Sequence, residues 1–308
     1  MRTLVLLLGL SVYAAIATPL EREVKLTLNS GQVHGVLLEP SQPTQVAALL
    51  IAGSGPTDRN GNNPRMQNNS LKMLAEGLAA NGVASLRYDK RGIAASHGAG
   101  ADESQLRFEH YVDDAVAWLA QLSNKFGYQK VVVIGHSEGS MIAMLAAARA
   151  GSHKVVSIAG PGERGDKLID AQLSAHSPPL AQQARPILDK LVAGETIVDT
   201  PAQLAPLFRP SVQPYLKSWF RHDPQQAAAK LTQPLLIVQG TSDIQVGVAH
   251  AEYLKAAQPD AEVVIIEGMN HVLKPASMDY SSNLATYNQP ELPLSEALLP
   301  AIVEFVLE

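Results

Sequence analysis

Ser137 sits inside Gly135-His136-Ser137-Glu138-Gly139, and a serine flanked by glycines at G-x-S-x-G spacing points to one chemistry, nucleophilic acyl transfer. On a sharp strand-to-helix turn the hydroxyl stands clear of the backbone and faces a cleft. The glycines serve that turn, because a larger side chain at either place would collide where strand and helix come together. A bare pentapeptide of this kind arises by chance in roughly one chain in ten of this length, so its flanks carry the weight. Before it, Val131-Val132-Val133-Ile134 reads as a buried parallel strand; after it, Met141 to Ala148 reads as a packed helix.

A serine hydroxyl is a weak nucleophile until a base takes its proton, and imidazole suits the task because its pKa lies near neutrality. Of nine histidines, His34 falls in a hairpin, His97 in a loop, and His110 and His250 in helices. His136 is expected to point away from its neighbour Ser137. His271 is different: it closes the loop Glu267-Gly268-Met269-Asn270-His271 after the apolar run Val263 to Ile266, where a side chain can reach across the sheet edge. Asp243, in Gly240-Thr241-Ser242-Asp243 after Leu235 to Val238, emerges at the same edge and can orient it. Asp89, on the strand before the nucleophile strand, and Asp113 and Asp114, inside a helix, are worse placed. Asp243 could also simply cap the following helix.

The tetrahedral intermediate needs two backbone N–H donors, each worth roughly 3 to 4 kcal/mol. The amide of Glu138 is one, and the amide of Ser54 in Ala52-Gly53-Ser54-Gly55-Pro56 is the other. The Glu138 side chain is expected to point away from the charge, toward Arg91. That glycine-bearing loop does not read as a phosphate cradle, since Asp58 occupies the third glycine position of G-x-G-x-x-G and no G-K-[ST] follows. Beyond it, Asp58-Arg59-Asn60-Gly61-Asn62 has the composition of local turns that hold a loop.

To bring residues 137, 243 and 271 together, the elements must alternate, and they do. Short strands over Glu23 to Leu28 and Val33 to Leu38 form an edge hairpin, followed by strand Val46 to Ile51, helix Ser70 to Ala80 and strand Val83 to Tyr88. Helix His110 to Lys125, strands Lys130 to Ile134, Lys154 to Ile158, Pro234 to Val238 and Ala261 to Ile266, and helices Ala249 to Ala257 and Leu294 to Leu307 complete the set. The expected fold is α/β, a mostly parallel central sheet with helices on both faces. From 162 to 230 the alternation stops, and proline-punctuated short helices suggest a cap over the C-terminal sheet edge, where doubly wound sheets bind ligands. The expected division is therefore a core of 18–161 and 231–308 with a helical cap insertion of 162–230 roofing Ser137. Tyr215, Trp219 and Phe220 would line an acyl pocket or form the cap's own core. The loop from Leu273 to Pro293, with Tyr280 and Tyr287, is long enough to border the pocket.

Gly53 to Asn62, Tyr88-Asp89-Lys90-Arg91-Gly92, Gly135 to Gly139, Gly240 to Asp243 and Gly268 to His271 together resemble the bacterial esterase branch of the α/β-hydrolase superfamily, close to the serine-aminopeptidase-like hydrolases. The resemblance covers most of the chain after residue 17, and the order Ser, Asp, His is the one that superfamily uses. It implies carboxylester hydrolysis with Ser137 as nucleophile, Asp243 as acid and His271 as base. Many relatives begin the oxyanion loop with His-Gly, whereas Ala52 stands there in this chain.

Composition narrows the remaining possibilities. With 308 residues, 46% hydrophobic and 17% charged, the chain can build one large core. A net charge of −5 without a lysine or arginine stripe argues against nucleic acid. Residues 1–17 have Arg2, an apolar core from Leu4 to Ile16 and a small-x-small end at Ala15-Ile16-Ala17, the pattern of a signal peptide cleaved after Ala17. The expectation is an exported, periplasmic or secreted protein with no stable membrane span after cleavage. Its core alone would stabilise it, since cysteine is absent. No cofactor or metal is expected. The function expected is cleavage of small-molecule esters through an acyl-enzyme; a peptidase or amidase with Glu163, Asp166 and Asp170 holding a substrate amine is the alternative. A hydrolase-fold binding module is the third reading.

Overall fold

The computed structural model describes residues 18–308; the signal segment expected at 1–17 lies outside the described residues. The chain order is β1 (Leu20–Leu28), β2 (Gly31–Glu39), β3 (Val46–Ile51), α1 (Ser70–Ala80), β4 (Ala84–Tyr88), α2 (Phe108–Ala120), β5 (Lys130–His136), α3 (Glu138–Ala150) and β6 (Lys154–Ile158). Five helices follow: α4 (Gly165–His176), α5 (Pro178–Val192), α6 (Ala205–Phe208), α7 (Gln213–Trp219) and α8 (Pro224–Ala229). The chain then returns to β7 (Leu235–Gly240), α9 (Val248–Ala257), β8 (Glu262–Ile266), α10 (Tyr280–Ala285) and α11 (Leu298–Leu307).

All eight strands form one sheet in the order β1-β2-β4-β3-β5-β6-β7-β8. β1 and β2 pair antiparallel, β2 runs antiparallel to β4, and the remaining pairs are parallel. Strand periodicity of two explains how one sheet feeds two cores. On β3, Ala47, Leu49 and Ile51 face a core built with α2 and α3, while Ala48 and Leu50 face a second core built with α1 and α11. Because β3 is covered on both faces, its run Val46 to Ile51 is uninterruptedly apolar.

The helices expected between residues 162 and 230 are present, but their prolines act differently from the expectation. Pro178, Pro206, Pro214 and Pro224 stand at the first or second positions of α5, α6, α7 and α8, where a missing N–H costs no helical hydrogen bond. They start helices more than they interrupt them. Pro186, by contrast, lies inside α5. Two further departures have local causes. Helix α2 passes at Gln121–Lys125 into a wider turn closed by Phe126 N–H on the Gln121 carbonyl at 2.9 Å. The long loop after His271 contains α10, capped by the Asp279 carboxylate on Ser282 N–H. Among the described residues, no helix is long and apolar enough to cross a membrane.

Candidate active site

β5 delivers Ser137 and α3 carries the chain away from it. Between them Ser137 adopts φ 55° and ψ −124°, a conformation costly for a residue with a Cβ. Neighbours hold it there: Ser137 N–H donates to the Ile158 carbonyl and Ser140 N–H to the Ser137 carbonyl, both at 2.9 Å. The flanking glycines are required by space, since a Cβ on Gly135 would overlap the Gly139 carbonyl and one on Gly139 the Ile51 carbonyl. Ser137 is 8% exposed, and the part it exposes opens on a cavity of about 180 Å³ that Ser54, His136 and His271 also line.

His271 and Asp243 lie at the ends of neighbouring parallel strands, which brings them together although 28 residues separate them. His271 Nδ1 is 2.8 Å from Asp243 Oδ2. A carboxylate only accepts, so Nδ1 carries the proton and Nε2 presents its lone pair elsewhere on the ring. Asp243 also accepts from the amides of Gln245 and Val246 at 2.8 and 2.9 Å and from Gln239 Nε2 at 3.2 Å. Burial alone would raise its pKa; His271 and the two amides outweigh burial and hold it below the usual aspartate value. Two buried asparagines tie the loops together. Asn283 Nδ2 donates to the Ser242 carbonyl at 2.8 Å, and Asn270 Nδ2 reaches Thr286 Oγ1 at 2.7 Å and Asn283 Oδ1 at 3.2 Å.

The two expected oxyanion donors flank the serine. Gly53 abuts it so closely that a Cβ there would stand 3.0 Å from the Ser137 Cβ, and Ser54 follows directly. Glu138 is the first residue of α3, so its N–H has no partner within the helix. Among the described residues neither amide donates to another backbone carbonyl. Ala52 has no polar side chain to anchor the loop; the Lys90 ammonium on the Gly53 carbonyl and Thr57 Oγ1 on the Ser54 carbonyl at 2.9 Å do so instead.

Several expectations are corrected. The Glu138 carboxylate is held by Lys90 at 3.4 Å and the Tyr215 hydroxyl at 2.6 Å and not by Arg91, which is taken by Asp114. His136 does not turn away: it lines the cavity, and its Nε2–H donates to the His271 carbonyl at 2.7 Å. Burial, with the neighbouring His271, drives its pKa down to about 3 and keeps it neutral. The insertion supplies no residue to the lining of this cavity, although Gln172 of α4 donates to the carbonyl of Gln245, a lining residue, at 3.1 Å. The rest of the lining includes Thr57, Asn63, Met66, Gln245, Val272 and Tyr287, and no lining residue lies in 162–230. Tyr215 is buried against Phe108 and Tyr111 of α2 and Trp219 against Phe108, while Phe220 packs on Trp219, forming the junction between insertion and core. Asp58 accepts from the amides of Asn60 and Asn62 at 2.8 and 2.9 Å, closing the turn its composition implies.

Sequence reasoning missed Lys90, Asn270 and Asn283. The available signal was a lysine directly after a buried strand at the sheet's C-terminal edge, within Tyr88-Asp89-Lys90-Arg91-Gly92. A second depression of about 370 Å³, between the edge hairpin and the loop around Asp58, does not adjoin Ser137; its charges are largely paired, Arg59 with Asp89 and Arg87 with Glu21.

Sheet order, nucleophile turn and strand-end histidine give the chain an α/β-hydrolase fold. The family model described as serine aminopeptidase, S33, matches residues 67–211, a span that holds Ser137 but neither Asp243 nor His271. Esterase EstD of Thermotoga maritima is 29% identical over 235 residues, which cover 74% of this chain and 54% of that one. The chain thus spans about half the length of this curated relative. Among solved structures, Est1E from Butyrivibrio proteoclasticus superposes with a TM-score of 0.60 at 17% identity, covering 93% of this chain and 99% of that one. Dipeptidyl peptidase 4 of Porphyromonas gingivalis superposes at 0.58 and 13% identity, covering 94% of this chain and 35% of that one. At such identities these likenesses show the fold, which esterases and peptidases share.

Proposed function

We propose that this protein is a serine hydrolase that cleaves small, uncharged carboxylic esters through an acyl-enzyme on Ser137. The observation that carries this reading is His271 held by Asp243 through Nδ1 while its ring lines the same cavity as Ser137. His271 Nε2 takes the Ser137 proton as Oγ bonds to the ester carbonyl carbon, and the carbonyl oxygen becomes an oxyanion facing the amides of Ser54 and Glu138. Collapse expels the alkoxide, which leaves with the proton from His271. Water then attacks the acyl-enzyme with its proton going to Nε2, and collapse returns that proton to Ser137 and releases the acid.

Substrate size is set by the space. A cavity of about 180 Å³ is small beside the roughly 300–1,000 Å³ of pockets that enclose drug-sized ligands. Its lining carries hydroxyls and amides from Thr57, Asn63, Gln245 and Tyr287, with no carboxylate or ammonium. Short acyl groups, polar or unbranched, therefore fit better than fatty chains.

The family match keeps an aminopeptidase reading in play, but the carboxylates such an enzyme needs are elsewhere. Asp166 is held by Arg164 at 2.8 and 2.9 Å and Asp170 by Arg185 at 2.9 Å, and neither these nor Glu163 lines the cavity. The decisive measurement compares short-chain 4-nitrophenyl esters with aminoacyl anilides, using wild type and Ser137→Ala. We expect hydrolysis of acetate and butyrate esters, lost by about a thousandfold or more in the variant. Anilide turnover exceeding ester turnover would favour the peptidase, and absence of Ser137 labelling by a fluorophosphonate would favour a binding module. We further propose export directed by residues 1–17, for which N-terminal sequencing of the protein from extracytoplasmic fractions should begin at Thr18.

A further inference from the structure

Lys90 is 1% exposed and Glu138 3% exposed, a charged pair enclosed between α2, α3 and α7 with no place in the acyl-transfer steps above. Buried ion pairs often contribute little net stability, because desolvation offsets their attraction. Its position explains it better than its energy. The Lys90 ammonium donates to the carbonyl of Gly53 and approaches Glu138 Oε1 at 3.4 Å, and it stands 4.9 Å from the centre of the Tyr111 ring. Glu138 Oε2 accepts from the Tyr215 hydroxyl at 2.6 Å, and Tyr215 belongs to α7 in the insertion.

The carbonyl that Lys90 holds is one half of the Gly53–Ser54 peptide unit. In a planar trans peptide the N–H points opposite to the C=O, so fixing the Gly53 carbonyl toward Lys90 also fixes the direction of the Ser54 N–H, in a loop where Gly53 abuts Ser137. The other donor belongs to Glu138, whose own side chain is the ammonium's second partner. Both oxyanion amides are thus tied to a single cation. Without it, the Gly53–Ser54 peptide could rotate, since glycine imposes little preference on its backbone. The carboxylate next to the oxyanion site would also lose the charge that offsets it.

We propose that Lys90 is a positioning residue that locks the Gly53–Ser54 peptide and the Glu138 side chain into the oxyanion-binding arrangement, with Tyr215 extending that lock into the 162–230 insertion. The inference rests on Ser137 acting as the nucleophile. It assigns the insertion a share in transition-state stabilisation although none of its residues lines the cavity.

The test uses Lys90→Met and, because that variant leaves a buried carboxylate unpaired, also the charge-neutral double variant Lys90→Met/Glu138→Gln, each checked for folding by circular dichroism and thermal melting. Steady-state hydrolysis of a short 4-nitrophenyl ester is paired with inhibition by an alkyl trifluoromethyl ketone, whose hemiketal adduct with serine carries the same oxyanion. The lock predicts a fall in kcat of about 10- to 100-fold in the folded double variant, below the loss expected on deleting an oxyanion donor outright. KM should stay within about twofold and the ketone's inhibition constant should rise in parallel with the fall in kcat/KM, as expected when only transition-state contacts are lost. Tyr215→Phe should show the same pattern at about three- to tenfold, and Lys90→Arg should recover part of the rate. A folded double variant with kcat near wild type, or one whose kcat falls with ketone affinity unchanged, would overturn the proposal. Ser137→Ala separates the two readings: if it retains activity, the nucleophile assignment fails, whereas a dead Ser137→Ala beside unaffected Lys90 variants refutes only the lock.

Discussion

At the scale of single residues, the candidate site is a set of polar groups each made to behave unlike its solvated counterpart. His136 is the clearest case. In the unfolded chain it takes up a proton near pH 6.5, while burial holds the folded form neutral down to about pH 3. Between those values the unfolded state binds the extra proton, so this histidine's contribution is intact above pH 6.5 and is lost progressively as pH falls toward 3, by up to about 1.4 kcal/mol per pH unit. His110 and His250 are shifted in the same direction by burial, so the whole protein should be acid-sensitive over this range. Urea midpoints measured from pH 7 to pH 4 should fall less steeply in His136→Asn than in wild type, whatever the variant's stability at pH 7. Equal slopes would show that His136 does not stay neutral. Asp243, with its depressed folded value, loses its contribution only further down, as pH falls below about 3.9 through that lower value, and so leaves the histidine window readable.

At the scale of elements, the turn between β5 and α3 concentrates the steric demands of the fold. Gly139 lies against the Ile51 and Ala52 carbonyls at the end of β3, which lets α3 approach the strand whose following loop supplies Ser54. Gly139→Ala should therefore destabilise the protein by about 1 to 3 kcal/mol through overpacking. It should also lower ester turnover at temperatures where the variant remains folded, because the helix carrying the Glu138 amide is displaced. Differential scanning calorimetry with activity at 20 °C tests both; an unchanged melting temperature would mean that the close approach is not required. The same scale shows why His271 and Asp243 meet. β7 and β8 are adjacent and parallel, so the loops after them leave the same edge, and Asn283 and Asn270 then hold those loops in register.

At the scale of the whole molecule, the 162–230 insertion belongs to the core more than to the pocket. Trp219 is buried against Phe108 and continues the hydrophobic cluster on the α2 and α3 face of the sheet. Trp219→Ala is expected to cost about 3 to 5 kcal/mol of stability while leaving the ratio of acetate to octanoate ester hydrolysis unchanged. Met66→Ala, at the cavity wall, should do the reverse, shifting preference toward longer acyl groups with a small stability change. A change of chain-length preference in the tryptophan variant would return specificity to the insertion.

Local order in the sequence marked the core strands and most of the helices, and with them the candidate site residues. Apolar runs such as Val46 to Ile51 can only be strands covered on both faces, and Ser70 to Ala80 has the period and the Asn81-Gly82 stop of a helix, matching the observed bounds. Ser137, Asp243 and His271 were legible because each comes soon after a strand, and parallel strands bring the loops at their C-terminal ends to one edge. Three-dimensional packing alone decided the rest. A buried lysine, a cavity wall and a loop-bridging asparagine are defined by groups distant in sequence, 16 residues for Asn270 on Thr286 and 48 for Lys90 on Glu138, and no local period records such distances. The prolines of the insertion marked its helices but not where those helices dock. Aromatic burial against α2 settled that, and none of the residues lining the cavity that Ser137 faces comes from the insertion.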